Sequence, residues 1–167
     1  MARRPLVISF DLDDTLICYQ PSVPCEPNRV PWLLRHWFGE PLRLGTASLL
    51  RELASRGMQT WVVTTSYRSP AYIRWFFRFY GIRLAGVVNQ EVYDRRVTRY
   101  FDRPPSKYPP AFGIDLHIDD SQGVEMEGQD HGFNVVVVKP DDDRWAEKVL
   151  AAIAQLESDT RNAVPPV

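Results

Sequence analysis

The sequence predicts an α/β fold, a three-layer sandwich in which helices cover both faces of a five-stranded parallel, Rossmann-like sheet. Three observations favour this class. Short apolar runs alternate with segments of helical periodicity. The runs are apolar throughout, which is typical of strands buried on both faces of a sheet. Polar residues follow several of the runs, at the end where parallel sheets collect their reacting groups.

Five apolar runs are the predicted strands: Leu6–Phe10, Thr60–Val63, Ala85–Val88, Leu116–Ile118 and Val135–Val138. Their lengths and their content of valine and isoleucine are typical of strands. Because helical segments separate most of these runs, we expect the strands to be parallel.

Apolar residues recur at helical spacing between the runs. The clearest helix is predicted to begin at Pro70, with Ser69 as its N-cap, and to stop at Gly81. Three further helices are predicted, one closed by Gly57, one over residues 121–131 and one over residues 145–156.

Composition limits the classes of function. The chain has 167 residues, 44% hydrophobic residues and a net charge of −1, as expected of one soluble globular domain. This balance gives no signal for nucleic acid or an anionic membrane, and no apolar stretch approaches the roughly 20 residues that span a bilayer. Cys18 and Cys25 match no zinc spacing and imply no disulfide framework. We therefore expect a cytoplasmic protein with free thiols.

One domain is predicted over residues 1–157, followed by a disordered tail at 158–167. Residues 16–44 form a proline-rich insertion, interpreted as a flap or mini-lid, and residues 91–110 form a second long excursion over the edge of the sheet. Long excursions in compact domains are usually functional or disordered.

Aromatic residues in the insertion have two interpretations. Pro31 would start a short helix that carries Trp32, Trp37 and Phe38. These rings either pack the segment onto the sheet or form a small lid that leaves the mouth of a site partly open. The sequence does not decide between the two.

The most informative segment is Asp11-Leu12-Asp13-Asp14-Thr15, directly after the first predicted strand. A cluster of like charges at a strand end costs free energy, so positive charge is expected beside it. A divalent cation with oxygen ligands, for which Mg²⁺ is the expected ion, would neutralise the carboxylates and let an aspartate attack phosphorus. The alternative is an ordinary polar turn after a strand.

Three further motifs follow in order: Val62-Val63-Thr64, then Lys107, then His117-Ile118-Asp119-Asp120. In these four motifs the chain resembles the haloacid dehalogenase superfamily of phosphohydrolases over residues 6–156. The resemblance implies strand order 5-4-1-2-3. It also implies no large cap domain, because neither gap between motifs that could hold a cap has room for one.

The resemblance further implies a Mg²⁺-dependent phosphatase that forms an aspartyl-phosphate. Asp11 would be the nucleophile and a metal ligand. Asp13 would protonate the leaving oxygen and then activate water, and its backbone carbonyl would bind the metal. An acid at position 13 favours phosphate transfer over carbon–halogen cleavage.

Thr64 would donate its hydroxyl to a phosphoryl oxygen, and Lys107 would hold the negative charge of the same group. Taken alone, Thr64 could merely end a strand and Lys107 could be a surface lysine. Asp14 is expected to point away from the nucleophile, and His117 to be a structural histidine.

Asp119 and Asp120 complete the expected metal site. Asp119 would be a ligand, and Asp120 a second ligand or one that acts through water; either could instead cap the next helix. Thr65 and Ser66 would contact substrate at the mouth, although a helix-entry turn also explains them.

Two other functions remain open at this point. One is a phosphotransferase that works by the same mechanism with an acceptor other than water. The other is a binding or regulatory protein that keeps the fold with little turnover. The expected partner is a phosphorylated substrate, including bulky or macromolecular phosphoesters, and the oligomeric state stays open.

Overall fold

A computed structural model describes residues 4–162 of the chain. Its strands are β1 (Val7–Phe10), β2 (Gln59–Val63), β3 (Gly86–Val88), β4 (Leu116–Asp119) and β5 (Val135–Val137). They form one sheet in the order β3-β2-β1-β4-β5, and each neighbouring pair is parallel. The predicted α/β class, the parallel sheet and its order are confirmed.

The described residues also form six α-helices: α1 (Arg35–Phe38), α2 (Thr46–Ser55), α3 (Pro70–Phe79), α4 (Gln90–Arg96), α5 (Gln122–His131) and α6 (Trp145–Asn162). Single turns of 3-10 helix lie at Trp32–Leu34, Thr98–Tyr100 and Pro109–Phe112. Helix α3 begins as expected, because the Ser69 hydroxyl accepts a hydrogen bond from the Tyr72 amide. In the part of the chain that the structure describes, no helix is long and apolar enough to cross a membrane.

Helix α4 begins at Gln90 and covers the start of the segment 91–110, which the sequence assigned to an excursion. The Asn89 side chain caps it by accepting a hydrogen bond of 3.0 Å from the Val92 amide. Tyr93 and Val97, four residues apart, are buried on one side. A single cap and one apolar pair suffice for a helix that packs against a sheet. Neither feature was recognised in the sequence, because the segment is basic in composition.

Helix α6 includes residues 158–162, which the sequence assigned to a disordered tail. Side chains in its last turns bond along the helix: Ser158 Oγ donates to the Gln155 carbonyl at 2.8 Å, and Gln155 donates to Asp159 at 2.8 Å. Polar composition alone is therefore not a stop signal. The rest of the predicted tail, residues 163–167, lies outside the described residues.

The two faces of the sheet carry separate cores. Val62 and Val63 are consecutive in β2, so their side chains point to opposite faces, and they belong to different clusters of buried residues. Helices α2, α3 and α6 contribute to the first cluster and α4 to the second. Helices therefore cover both faces, as a three-layer sandwich requires.

The insertion at 16–44 exposes most of its aromatic surface. Trp32 is 76% exposed and Trp37 is 62% exposed. The interpretation that these two rings pack onto the sheet is therefore wrong. Phe38 does pack inward and stacks on Tyr72 of α3, with 4.8 Å between ring centroids. Phe38 thus attaches the carboxyl-terminal part of the insertion to α3, while Leu16, Ile17 and Val30 belong to the buried core.

Arg43, at the end of the insertion, is 2% exposed. Its guanidinium donates to four backbone carbonyls, those of Thr15 (3.3 Å), Lys139 (2.6 Å), Pro140 (3.0 Å) and Asp142 (2.8 Å). It also lies over the Trp145 ring, 4.7 Å from the centroid. These contacts join the loop that contains Asp11 to the loop after β5.

We expect Arg43→Leu to lower the free energy of unfolding by about 3 kcal/mol, because it leaves several buried carbonyls without a donor. Arg51→Leu is a matched control, since among the described residues Arg51 donates to the Tyr80 carbonyl alone. Its expected loss is within about 1 kcal/mol. Urea unfolding of both variants measures the difference, and equal losses would contradict this role of Arg43.

Candidate active site

The carboxyl ends of β1 and β4 bring three of the predicted carboxylates together. The Asp11 amide donates to the Ile118 carbonyl of β4 at 2.8 Å, which sets Asp11 beside Asp119. One oxygen from each of Asp11, Asp119 and Asp120 lies within 4.8 Å of the others. Mg²⁺ holds oxygen ligands at about 2 Å in octahedral geometry, so opposite ligands are about 4 Å apart. The cluster therefore suits a divalent cation.

Lys107 lies between two of these carboxylates. Its ammonium is 2.6 Å from Asp11 Oδ1 and 2.6 Å from Asp119 Oδ2. The residue is 4% exposed, so it is not an ordinary surface lysine. In this position Lys107 offsets part of the buried negative charge.

The segment that carries Lys107 is held by two neighbouring helices. The Ser106 amide and hydroxyl donate to the two carboxylate oxygens of Glu127 on α5, at 2.8 and 2.7 Å. The Tyr93 hydroxyl, on α4, donates to the Pro105 carbonyl at 2.6 Å. These bonds fix the backbone directly before Lys107.

A buried polar chain supports Asp119 from inside the sheet. Ser9 and His117 are register partners in β1 and β4, and the Ser9 hydroxyl lies 2.7 Å from His117 Nδ1. His117 Nε2 lies 2.9 Å from Asp119 Oδ2. Burial lowers the pKa of His117, so the neutral ring donates to Asp119 and accepts from Ser9. Both ring nitrogens have partners, as expected of a structural histidine.

The two buried carboxylates titrate in opposite directions. Burial raises the pKa of Asp11 to about 7, despite the nearby Lys107 ammonium. Burial acts in the same direction on Asp119, but the His117 hydrogen bond and the Lys107 charge outweigh it and lower the pKa of Asp119 to about 2. Asp11 is thus the carboxylate that most needs further positive charge in order to ionise.

Asp120 has the carboxylate most available to a cation. Among the described residues, no other residue donates a hydrogen bond to it, whereas Asp119 Oδ1 accepts from the Ser121 amide at 2.9 Å and Oδ2 from Lys107 and His117. Burial, and then the charge of Asp119, raise the pKa of Asp120. The charge of Asp14 adds to this effect.

The loop after β2 carries the predicted hydroxyl residues. Thr64 is buried at the sheet edge, and its hydroxyl accepts a hydrogen bond of 3.0 Å from the Ser66 amide. The Ser66 hydroxyl in turn accepts from the Arg68 amide and guanidinium, while Thr65 is exposed. Each hydroxyl keeps its proton free to donate to an incoming oxygen.

Asp13 does not join the carboxylate cluster through its side chain. Its Oδ2 instead accepts from Arg68 Nη1 at 2.9 Å, and Arg68 Nε donates to Glu40 Oε1 at 2.9 Å. The sequence identified neither Arg68, which follows the predicted Thr65 and Ser66, nor Glu40, which lies in a proline-rich segment with no spacing signal. That the Asp13 carbonyl binds the metal stays a prediction.

Comparisons with known proteins assign no family to this chain. No family model and no curated protein matches it. The case for a function therefore depends on the chemistry of this site and on the four motifs that supply its residues.

We expect Asp120→Asn to weaken Mg²⁺ binding at least about tenfold, because it removes the freest carboxylate of the cluster. Asp14→Asn is the matched control, since Asp14 has a left-handed φ of 58°, which asparagine tolerates, and is outside the cluster. Titration calorimetry measures both. Equal weakening would mean that general negative charge, and not direct ligation, attracts the cation.

The raised pKa of Asp11 gives a pH dependence to the metal-free protein. Its pKa lies above the ordinary value of 3.8, so its contribution to stability is full below about pH 4 and lost as the pH rises through about 7. Asn imitates the neutral form. We expect Asp11→Asn to be more stable than the wild type at pH 8 in chelator, and close to it at pH 4. Urea unfolding at both pH values tests this, and a pH-independent difference would contradict it.

Proposed function

We propose that this chain is a Mg²⁺-dependent phosphatase of the haloacid dehalogenase type, acting through an aspartyl-phosphate on Asp11. The observation that carries the proposal is the buried Asp11–Lys107–Asp119 arrangement, with Asp120 beside it, at the carboxyl edge of a parallel sheet. Ligands and catalytic groups of open α/β sheets collect at this edge.

Charge supports a requirement for metal. The described site has six carboxylates and three cationic side chains: Asp11, Asp13, Asp14, Glu40, Asp119 and Asp120 against Lys107, Arg68 and Lys139, whose ammonium donates to the Asp120 carbonyl. Such an excess repels a phosphate dianion. Asp11, Asp119 and Asp120 would hold Mg²⁺, which supplies charge neutralisation and lowers the free energy of the ionised nucleophile.

In the first step, an Asp11 oxygen attacks phosphorus and the bond from phosphorus to the ester oxygen breaks. Asp13 gives its proton to the leaving oxygen. The Lys107 ammonium and the Thr64 hydroxyl donate to the phosphoryl oxygens, whose negative charge they stabilise.

In the second step, Asp13 takes a proton from water as that water attacks the aspartyl-phosphate. The bond from phosphorus to the Asp11 oxygen breaks, inorganic phosphate leaves, and both carboxyl groups return to their starting states. The same groups serve both steps, so the reaction needs no further protein acid or base.

Substrate access is broad in this proposal. We infer that the insertion at 16–44 is a small flap and not a closed cap, since Trp32 and Trp37 face solvent. Bulky phosphoesters could then reach the sheet edge, with Thr65 and Ser66 at the entrance.

We expect the protein to release phosphate from p-nitrophenyl phosphate with Mg²⁺ and not in excess chelator. Asp11→Asn should lower kcat by at least about 10³-fold, because an amide cannot replace the nucleophile. Rapid quenching followed by borohydride reduction and mass spectrometry should locate the phosphorylated residue at Asp11.

Other outcomes separate the remaining functions. Phosphate transfer to an added alcohol that is faster than transfer to water would identify a phosphotransferase. Absence of turnover, together with Mg²⁺-dependent binding of inorganic phosphate, would identify a binding protein. Trapped phosphate on any other residue would reject the assignment of Asp11.

A further inference from the structure

Arg68 joins three separate parts of the candidate site. It lies between β2 and α3, and its guanidinium donates to Asp13 Oδ2 and Glu40 Oε1, both at 2.9 Å. It also donates to the Ser66 hydroxyl at 2.9 Å and to the Tyr19 hydroxyl at 3.2 Å. Four of the five guanidinium N–H groups are thus used.

Asp13 depends on Arg68 for its orientation. Within residues 4–162, Arg68 is the only residue that bonds the Asp13 carboxylate, whose side chain is 41% exposed. The contact engages Oδ2 and leaves Oδ1 free to carry a proton. Without the guanidinium, nothing described would choose one rotamer of Asp13 over another.

Arg68 is itself held by the insertion. Glu40 Oε1 accepts from the Tyr72 hydroxyl at 2.8 Å as well as from Arg68, and Phe38 stacks on the same tyrosine. Asn89, the cap of α4, donates to the Arg68 carbonyl at 3.2 Å. Glu40, itself held by Tyr72, therefore helps to fix the place of the guanidinium.

An alternative role for Arg68 is to bind the substrate's phosphate. Its partners argue against this, because one guanidinium already faces two carboxylates and the group keeps a net negative charge. An incoming anion would have to displace Asp13 or Glu40 from a partner that is largely saturated.

We propose that Arg68 is a positioning residue that holds Asp13 for proton transfer, and that Glu40 makes the insertion part of this support. The inference rests on the proposed phosphatase function. It assigns the insertion a role in acid–base chemistry and not only in covering the mouth.

Leaving groups provide a sharp test. p-Nitrophenolate departs without a proton, whereas an alkoxide needs one, and kcat/KM reports the step in which the leaving group departs. We expect Arg68→Ala to lower kcat/KM for glycerol phosphate about 10- to 100-fold, and for p-nitrophenyl phosphate less than about threefold. Glu40→Gln should show the same pattern with a smaller loss.

Asp13→Asn and Arg74→Ala complete the design. Arg74, on α3, donates to the Leu84 carbonyl, so Arg74→Ala is a matched loss of an arginine. This variant should have the wild-type kcat/KM for both esters. If Arg68 acts only through Asp13, adding Arg68→Ala to Asp13→Asn should cause no further loss. Additive losses, or equal losses for the two esters, would overturn the inference.

Hydrogen–deuterium exchange separates this inference from the phosphatase proposal, since it needs no turnover. Arg68→Ala should raise exchange in residues 11–17 and around Glu40, while Arg74→Ala leaves both segments unchanged. If the wild type hydrolyses neither ester and exchange still rises, the proposed function fails and the link between Asp13, Arg68 and Glu40 stands. Unchanged exchange would overturn the link whatever the phosphatase result.

Discussion

The ammonium of Lys107, buried between Asp11 and Asp119, is the interaction on which the site depends. Two carboxylates at adjacent strand ends would repel each other strongly in a water-poor environment, and one cation 2.6 Å from each makes their proximity tolerable. The compensation is incomplete, because burial still raises the pKa of Asp11 to about 7. The remaining imbalance is the physical reason to expect a metal ion at this edge of the sheet.

Much of the domain serves to keep this charged group in place. Glu127 and Tyr93 hold the backbone before Lys107, and His117 supports Asp119 from within β4. Arg43 performs a similar task for the loop after β1 by donating to the Thr15 carbonyl. Each support comes from a different element, so the site requires the complete sandwich and not any single motif.

The elements best predicted from the sequence are the strands, because burial between two layers of helices requires apolar residues. All five strands were found because most of their residues are apolar. Asp11 was identified because it directly follows such a run, and Asp119 because it ends one. Helix α4 was missed, since its evidence is one asparagine cap in a basic segment. The pairing of Arg68 with Glu40 was also missed. It joins loops 28 residues apart whose path no local pattern specifies.

The site therefore has two parts with different physical origins. The inner part, around Asp11 and Lys107, is buried, and strand register determines where its charges lie. The outer part, Asp13 with Arg68 and Glu40, is partly exposed and held by side-chain bonds between loops. The free energy of local unfolding is lowest where a segment makes few buried contacts and is accessible to solvent. Motion in this protein should therefore begin at the outer part, where acid–base chemistry is proposed, while the proposed nucleophile and metal ligands stay fixed.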